Sequence, residues 1–408
     1  MPEAAVLTVH NRYQQPGGED QVFASEGALL GRHGHRVVRY EEDNARIGLG
    51  ATAAIAGVWN ARAAREIGDM VRQQKPDVVH FHNTFPLISP AAYYAVRREG
   101  VPVVQTLHNY RLLCPGATLF RDGAVCEQCI EQRSLRPAMA HKCYRGSRPA
   151  TAAVSVMLTV HRAARTWQRK VDLYIALSEF ARRKLIQGGL PERRIAVKPN
   201  FVWPDPGVGA GGGGYALFVG RLSAEKGISV LAEAWKELTD IPLVVAGEGP
   251  MAEVFGKPLP AVTEQSDSER PDSERPDSEQ LAGVSGTVLV GLQTREKVFE
   301  LMRNARVLIV PSIWYEGEPM TIIEAFACGL PVIASNLGSM AEIVDHGRTG
   351  LLFTAGDAAD LARTVRSAFA NMADMRAAAR REFEEKYTAE RNYQLLTAIY
   401  ERAIADAS

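Results

Sequence analysis

Short runs dominated by apolar residues alternate along this chain with longer amphipathic stretches, and that alternation admits few architectures. In the first half the runs fall at Ala5–His10, Arg36–Tyr40, Asp77–His82, Pro102–Leu107 and Leu173–Leu177, with helical stretches such as Ala53–Gln74 between them. The second half repeats the theme at Ala216–Gly220, Pro242–Gly247, Gly286–Gly291, Val307–Ser312 and Pro331–Ser335. Strands this apolar must be covered on both faces, so the pattern predicts parallel sheets in a doubly wound α/β fold. A chain of 408 residues is longer than one core usually supports, which predicts two domains. The stretch PDPGVGAGGGG, Pro204–Gly214, is too rich in Gly and Pro for an element interior and reads as a hinge between them. The expected domains are therefore 1–203 and 215–386, followed by a final helical segment, 387–408. Tyr393, Leu396, Ile399 and Tyr400 lie at helical spacing in that segment, so it should pack on a domain. Within the second domain, 260–282 contains a duplicated DSERP; it is too polar and too short for a repeat fold and reads as a disordered surface insertion.

Composition narrows the class. Hydrophobic residues make up 46% and charged residues 23%, as in a soluble globular protein. No apolar run reaches the length of a membrane span, and a strand begins almost at Met1, so neither an anchor nor a signal peptide is expected. With 5 cysteines and no export signal, the expected compartment is the reducing cytoplasm. The net charge of zero hides an asymmetry: residues 1–200 carry 28 Lys+Arg against 17 Asp+Glu, and residues 201–408 carry 19 against 30. Much of the positive excess lies between 132 and 171, where nine basic residues and no acidic one flank the apolar Val154–Val160. A solvated helix packed by its apolar residues accounts for this stretch. Contact with anionic lipid at the inner face of the membrane is the functional alternative. No aromatic-rich or zinc-finger pattern supports nucleic-acid binding.

The segment Tyr315–Gly329, YEGEPMTIIEAFACG, joins two of the buried strands. Pro319 suits the first turn of a helix, where its missing N–H is no loss. Ile322, Ile323, Phe326 and Ala327 share one face, Glu324 points off it, and Gly329 followed by Pro331 ends the helix. The N–H groups of Met320 and Thr321 would then stand at a positive helix end, with Glu316, Glu318 and Glu324 close by. Such an end suits a phosphate, and the carboxylates suit hydroxyls. Phosphate plus polyol suggests a nucleotide-sugar. Upstream, in FVGRLSAEKG, a strand ends at Gly220 and Arg221 and Lys226 follow at a helix start. Two cations there can clamp a diphosphate and stabilise its departing charge.

Glu316 and Glu324, separated by seven residues, resemble the E-x7-E signature of retaining GT-B glycosyltransferases, more narrowly of glycosyltransferase family 4. The G-R-L-x-x-E-K-G run resembles that family's diphosphate motif, and the likeness spans nearly the whole second half apart from the insertion. The resemblance implies two facing Rossmann-like domains, with a last helix that crosses back to the N-terminal one. It implies that Glu324 binds ribose hydroxyls and Glu316 those of the donor sugar. Arg221, Lys226 and the N–H groups after Pro319 would hold the diphosphate. It also implies that Gly17 and Gly18, after the first strand, face the donor phosphates, and that His108, ending the strand Pro102–Leu107, reaches the transferred sugar. His80 and His82 read as structural or acceptor-side residues.

These expectations describe a metal-independent hexosyltransferase. It would move sugar from a UDP-, GDP- or ADP-linked donor to a glycan or lipid-linked acceptor by front-face attack. No carboxylate pair with the spacing of a retaining glycosidase is evident. An inactive nucleotide-sugar-binding protein and an inverting enzyme are the alternatives. Cys114, Cys126, Cys129 and Cys143 fall within 30 residues around a C-x2-C. A structural zinc, disulfides and unligated thiols all remain open for them.

Overall fold

The computed structural model describes residues 3–12, 17–46, 51–256, 286–369 and 372–407. The DSERP duplication and Pro16 lie outside the described residues. The chain forms two compact units: one made of Met1–Trp203 with Lys386–Ser408, the other of Pro204–Glu385.

In the first unit the strands are β1 (Ala5–Arg12), β2 (Arg36–Asp43), β3 (Val78–Phe81), β4 (Val103–Leu107), the short hairpin β5 (Phe120–Arg121) and β6 (Ala124–Val125), then β7 (Leu173–Ala176) and β8 (Ile195–Val197). All but the hairpin join one parallel sheet in the order β2-β1-β3-β4-β7-β8. β3, β4 and β7 are buried along their whole length, as central strands covered on both faces are, whereas β2 is mostly exposed or half-buried and sits at the edge. The expected helix Ala53–Gln74 is two helices, Ala51–Val58 and Ala61–Gln74. Asn60 divides them, because its side chain accepts from the N–H groups of Arg62 and Ala63 and starts a new helix.

The last helix, Ala389–Ala407, belongs to this first unit. Leu396, Ile399, Tyr400 and Ala403 join the core formed by Val6, Val78, Val104 and Ile175. Its polar atoms are matched as well: the Tyr393 hydroxyl lies 2.9 Å from His35 Nε2, and Asn392 donates to the Pro199 carbonyl at 3.2 Å.

The second unit holds β9 (Ala216–Val219), β10 (Leu243–Ala246), β11 (Thr287–Gly291), β12 (Val307–Val310), β13 (Val332–Ser335) and β14 (Gly350–Phe353). They form a parallel sheet in the order β11-β10-β9-β12-β13-β14. Strand order reverses between β9 and β12, and a crevice at the carboxyl ends of the strands is expected there. In the first unit the equivalent point lies between β1 and β3. The stretch 204–214 runs along the second unit: Gly209, Gly211 and Gly213 donate to the carbonyls of Cys328, Arg303 and Asn304. Among the described residues no helix is long and apolar enough to cross a membrane.

Candidate active site

Lys226 and Glu316 reach one another from opposite sides of the β9/β12 reversal. After β9 the chain turns through a short 3-10 segment, Ala224–Lys226, and Gly227 follows with φ +73°. A Cβ at Gly227 would stand 1.9 Å from the Pro311 carbonyl oxygen, so only glycine lets this loop touch the end of β12. Ile313 N–H donates to the Glu225 carbonyl at 2.9 Å and completes the join. Lys226 Nζ then lies 2.7 Å from Glu316 Oε1 and 5.6 Å from the centre of the Trp314 ring. Ser312 donates its hydroxyl to the same Oε1 at 2.7 Å, and Ser339 donates to the Glu316 carbonyl at 2.9 Å.

Burial would raise the Glu316 carboxyl, but Lys226 and the Ser312 hydroxyl outweigh it and hold it below its ordinary value. At neutral pH Glu316 is an ionised acceptor, not an acid. It can take hydrogen bonds from hydroxyls and is poorly suited to giving up a proton.

The helix Met320–Ala327 starts beside this pair. Pro319 is its N-cap in an extended conformation (φ −70°, ψ 109°), one position earlier than expected. No side chain caps the end, and Ile322 is the first N–H to find a carbonyl, that of Pro319. Met320 and Thr321 are half-buried, so their N–H groups stand at the positive end of the helix. Glu324 is not solvated on its side of the helix: it is 7% exposed, because the helix Arg295–Asn304 covers that side and Arg295 Nε approaches its Oε1 at 3.7 Å. Glu318 is also buried, whereas the Arg221 side chain is exposed. Gly247 is held to glycine in the same way: a Cβ there would stand 1.9 Å from the Gly220 carbonyl oxygen.

The remaining expected residues lie in the first unit. Gly17 caps the helix Gly18–Arg32, and its N–H is already held by Asp20 Oδ2 at 2.9 Å, which leaves less backbone for a phosphate than the glycines suggest. Asp20 also binds His10 Nε2 at 2.8 Å, fixing this helix end to β1. His108, half-buried, lines a cavity with His82, Asn83, Gln105 and Arg111. Its Nε2 is 3.1 Å from His82 Nδ1.

Glu26, His80 and His82 are the one group among the described residues whose potential ligand atoms all lie within 4.8 Å. One oxygen of Glu26 and both nitrogens of His80 are committed, however. Lys198 Nζ sits 2.5 Å from Glu26 Oε1, and the hydroxyls of Tyr400 and Thr106 stand 2.7 and 2.8 Å from the two nitrogens of His80. Hydrogen bonds therefore occupy His80 and one side of Glu26. Cys114, Cys126, Cys129 and Cys143 are free thiols in one neighbourhood, and their sulfurs do not form such a group. Burial pushes Cys129 up to about 11, with the other three thiols adding to it.

Two family models match the chain: "Glycosyltransferase Family 4" over residues 17–205 and "Glycosyl transferases group 1" over residues 208–386. The D-inositol 3-phosphate glycosyltransferase of Mycolicibacterium smegmatis is 25% identical over 362 residues, 87% of this chain and 72% of that protein. The 2-deoxystreptamine glucosyltransferase of Streptomyces kanamyceticus is 26% identical over 90% of this chain and 88% of its own length. Among solved structures, sucrose-phosphate synthase from Thermosynechococcus elongatus superposes with TM-score 0.68 at 16% identity, covering 99% of this chain and 100% of that one. Anabaena HepE, in complex with UDP and glucose, does so with TM-score 0.63 at 16% identity, covering 96% and 98%. With a model matched to each half and the GT-B fold in common with these structures, the chain belongs to the glycosyltransferases of the family 4 and group 1 type.

Proposed function

We propose that the protein transfers a hexose-type sugar, with retention and without a metal ion, from a nucleoside-diphosphate sugar to a hydroxyl of a glycan or lipid-linked acceptor. The carrying observation is the Lys226–Glu316 pair beside the uncapped helix end at the β9/β12 reversal. In this reading the diphosphate lies against the N–H groups of Met320 and Thr321, with Lys226 and the exposed Arg221 closing on it. The cations stabilise charge as the bond to the sugar breaks. Glu316, ionised, orients the sugar through its hydroxyls, Glu324 takes the ribose hydroxyls, and Glu318 supports the turn between them. Because Glu316 is a weak base, the acceptor proton passes to an oxygen of the departing diphosphate. Retention follows the E-x7-E resemblance, and the anomeric proton of the product, read by NMR, tests it.

A thermal-shift screen of UDP-, GDP- and ADP-sugars checks the donor. One class should raise Tm by several degrees, as binding to the folded state alone requires. No shift with any of them at millimolar concentration would sink the reading. EDTA should leave the transfer rate unchanged; a loss that Mg²⁺ restores would exclude the metal-free route.

The acceptor side of the reading includes a membrane surface. The helices Ala51–Val58 and Arg148–Ala163 pack together, and Ile55, Trp59, Val156 and Val160 are exposed on or beside them. In the sequence, the basic residues of 132–171 flank the Val154–Val160 stretch that carries two of them, a combination suited to anionic lipid. The protein should sediment with vesicles containing phosphatidylglycerol and not with phosphatidylcholine alone, and Val156→Asp with Val160→Asp should abolish it.

A further inference from the structure

The cavity that Gln105 lines, within the first unit, has two buried polar atoms without a hydrogen-bonding partner among the described residues. One is Gln105 Oε1, on a side chain 5% exposed; the other is Nε1 of Trp167, which is 2% exposed and lines the same cavity. Sheet register brings them together. Gln105 of β4 pairs with Tyr174 of β7, so their side chains stand on one face of the sheet. The Tyr174 hydroxyl donates to the Trp167 carbonyl at 2.7 Å and holds the short helical turn Thr166–Arg169 against that face. Thr166 Oγ1 anchors the same turn, 2.9 Å from His161 Nδ1 and 2.8 Å from the Tyr94 hydroxyl. Trp167 is thus fixed by its neighbours while its own N–H is left over.

The other walls are spent or apolar. Asn83 donates to the Asn11 carbonyl at 2.9 Å and accepts from the Phe85 N–H at 3.0 Å. His82 Nε2 also lacks a partner, but it lies 3.3 Å from Glu26 Oε2. Arg111 makes a fixed wall: its guanidinium lies over the Phe85 and Tyr144 rings, 4.6 and 5.0 Å from their centres, and donates to the Pro115 carbonyl at 2.7 Å. Leu112 and Met157 add apolar surface. The space inside is about 40 Å³. A water-sized group takes ~10–15 Å³ by that measure, so there is room for about three non-hydrogen atoms and none for a sugar ring.

Whatever fills this space must accept from an indole N–H and donate to an amide oxygen. A carbonyl or phosphate oxygen can only accept and an ammonium can only donate, whereas a hydroxyl does both. We propose that the cavity is a subsite for the acceptor: a hydroxymethyl arm enters it, its oxygen accepting from Trp167 Nε1 and donating to Gln105 Oε1. That the arm belongs to the acceptor rests on the function proposed above; the preference for a hydroxymethyl group does not. A deoxy sugar with a methyl in that place would leave both protein atoms buried and unpaired. The subsite therefore selects the hydroxylated arm over the methyl.

Indole ¹H–¹⁵N NMR of the full chain tests the pocket with no sugar donor present. Trp167→Phe assigns the signal or, if that variant does not fold, the shift caused by Gln105→Met does; the indoles of Trp59, Trp203, Trp235 and Trp314 serve as internal controls. Ethylene glycol should move the Trp167 signal saturably, and tert-butanol, too wide for the cavity, should leave it in place. Gln105→Met, of similar volume, should weaken the response several-fold. Its Tm should match or exceed that of the wild type, because it removes a polar atom that the unliganded fold leaves unpaired. No saturable response to ethylene glycol overturns the proposal. So does a Tm lowered by several degrees, or a failure to fold, in Gln105→Met, since Gln105 would then complete a structural network through a permanently held water. Where transfer is measured, Gln105→Met should raise KM for the acceptor on the order of three- to tenfold, the loss of one neutral hydrogen bond, and leave KM for the donor unchanged. Transfer with an unaltered acceptor KM would keep the functional reading and end the subsite; a saturable Trp167 response in a chain that transfers no sugar would do the reverse.

Discussion

Lys226→Ala is expected to lower kcat for sugar transfer by about 10²–10³-fold, the scale seen when one preorganised donor to a developing negative charge is removed. Lys226 is one of two cations placed at the β9/β12 reversal, and it is the one already oriented, by Glu316 at 2.7 Å and by the Trp314 ring. Two effects of the substitution pull in one direction. The diphosphate loses a donor, and Glu316, buried and without its counter-ion, is pushed up toward protonation. The sign is definite: wild-type Glu316 is held below its ordinary value, so its charge is present at neutral pH and is lost only as pH falls. In the variant that loss begins at higher pH, so the deficit in kcat should widen on acidification. Steady-state rates from pH 5 to 8, with Tm as a control for folding, check both parts. A variant with wild-type kcat would remove Lys226 from the mechanism.

Lys198→Ala should destabilise the first unit by about 3–5 kcal/mol, the usual result of removing one partner of a buried ion pair. Both side chains are essentially closed to solvent, and Glu26 would be left charged among His80, His82 and the core. Lys198→Met with Glu26→Gln should recover most of the loss, because the cost lies in the uncompensated charge and not in the volume. Chemical denaturation of the three proteins separates these outcomes; equal stability of Lys198→Ala and wild type would contradict the pairing. Acid should find the same region. His80, His82 and His108 are all held below their ordinary 6.5 by burial, so they stay neutral when folded and take up protons once unfolded. The unfolded chain therefore binds more protons below about pH 6.5, and stability should fall as pH drops through that value. Glu26 acts later: its depressed carboxyl contributes above its unfolded value and loses that contribution only at lower pH.

The buried strands were legible because their apolar runs admit no other reading. Val307–Val310 and Val332–Ser335 were placed to within two residues of their ends. Four strands were passed over by the sequence reading: the two-residue hairpin strands Phe120–Arg121 and Ala124–Val125, and Ile195–Val197 and Gly350–Phe353, which lie at sheet edges and are three and four residues long. Runs that short leave no period to read. At the site, Glu316 and Lys226 were marked by spacing, while Ser339 and Arg295 were not, since each arrives from another loop or helix through tertiary contact. His82 was read, with His80, as a structural or acceptor-side residue. Glu26 reads as one acid on an amphipathic helix and Lys198 as one base after a short edge strand. Nothing local in either position signals a partner that lies 172 residues away in sequence.

The first unit is built from two separated pieces of chain, and the later piece supplies Tyr400 to His80 and Tyr393 to His35. During synthesis, the sheet around β1 and β3 must therefore wait with its hydrophobic surface uncovered while all of Pro204–Glu385 is made. Expressed by itself, 1–203 would be a half-finished body prone to aggregate, and supplying the final 19-residue helix as a separate peptide is the natural way to rescue it.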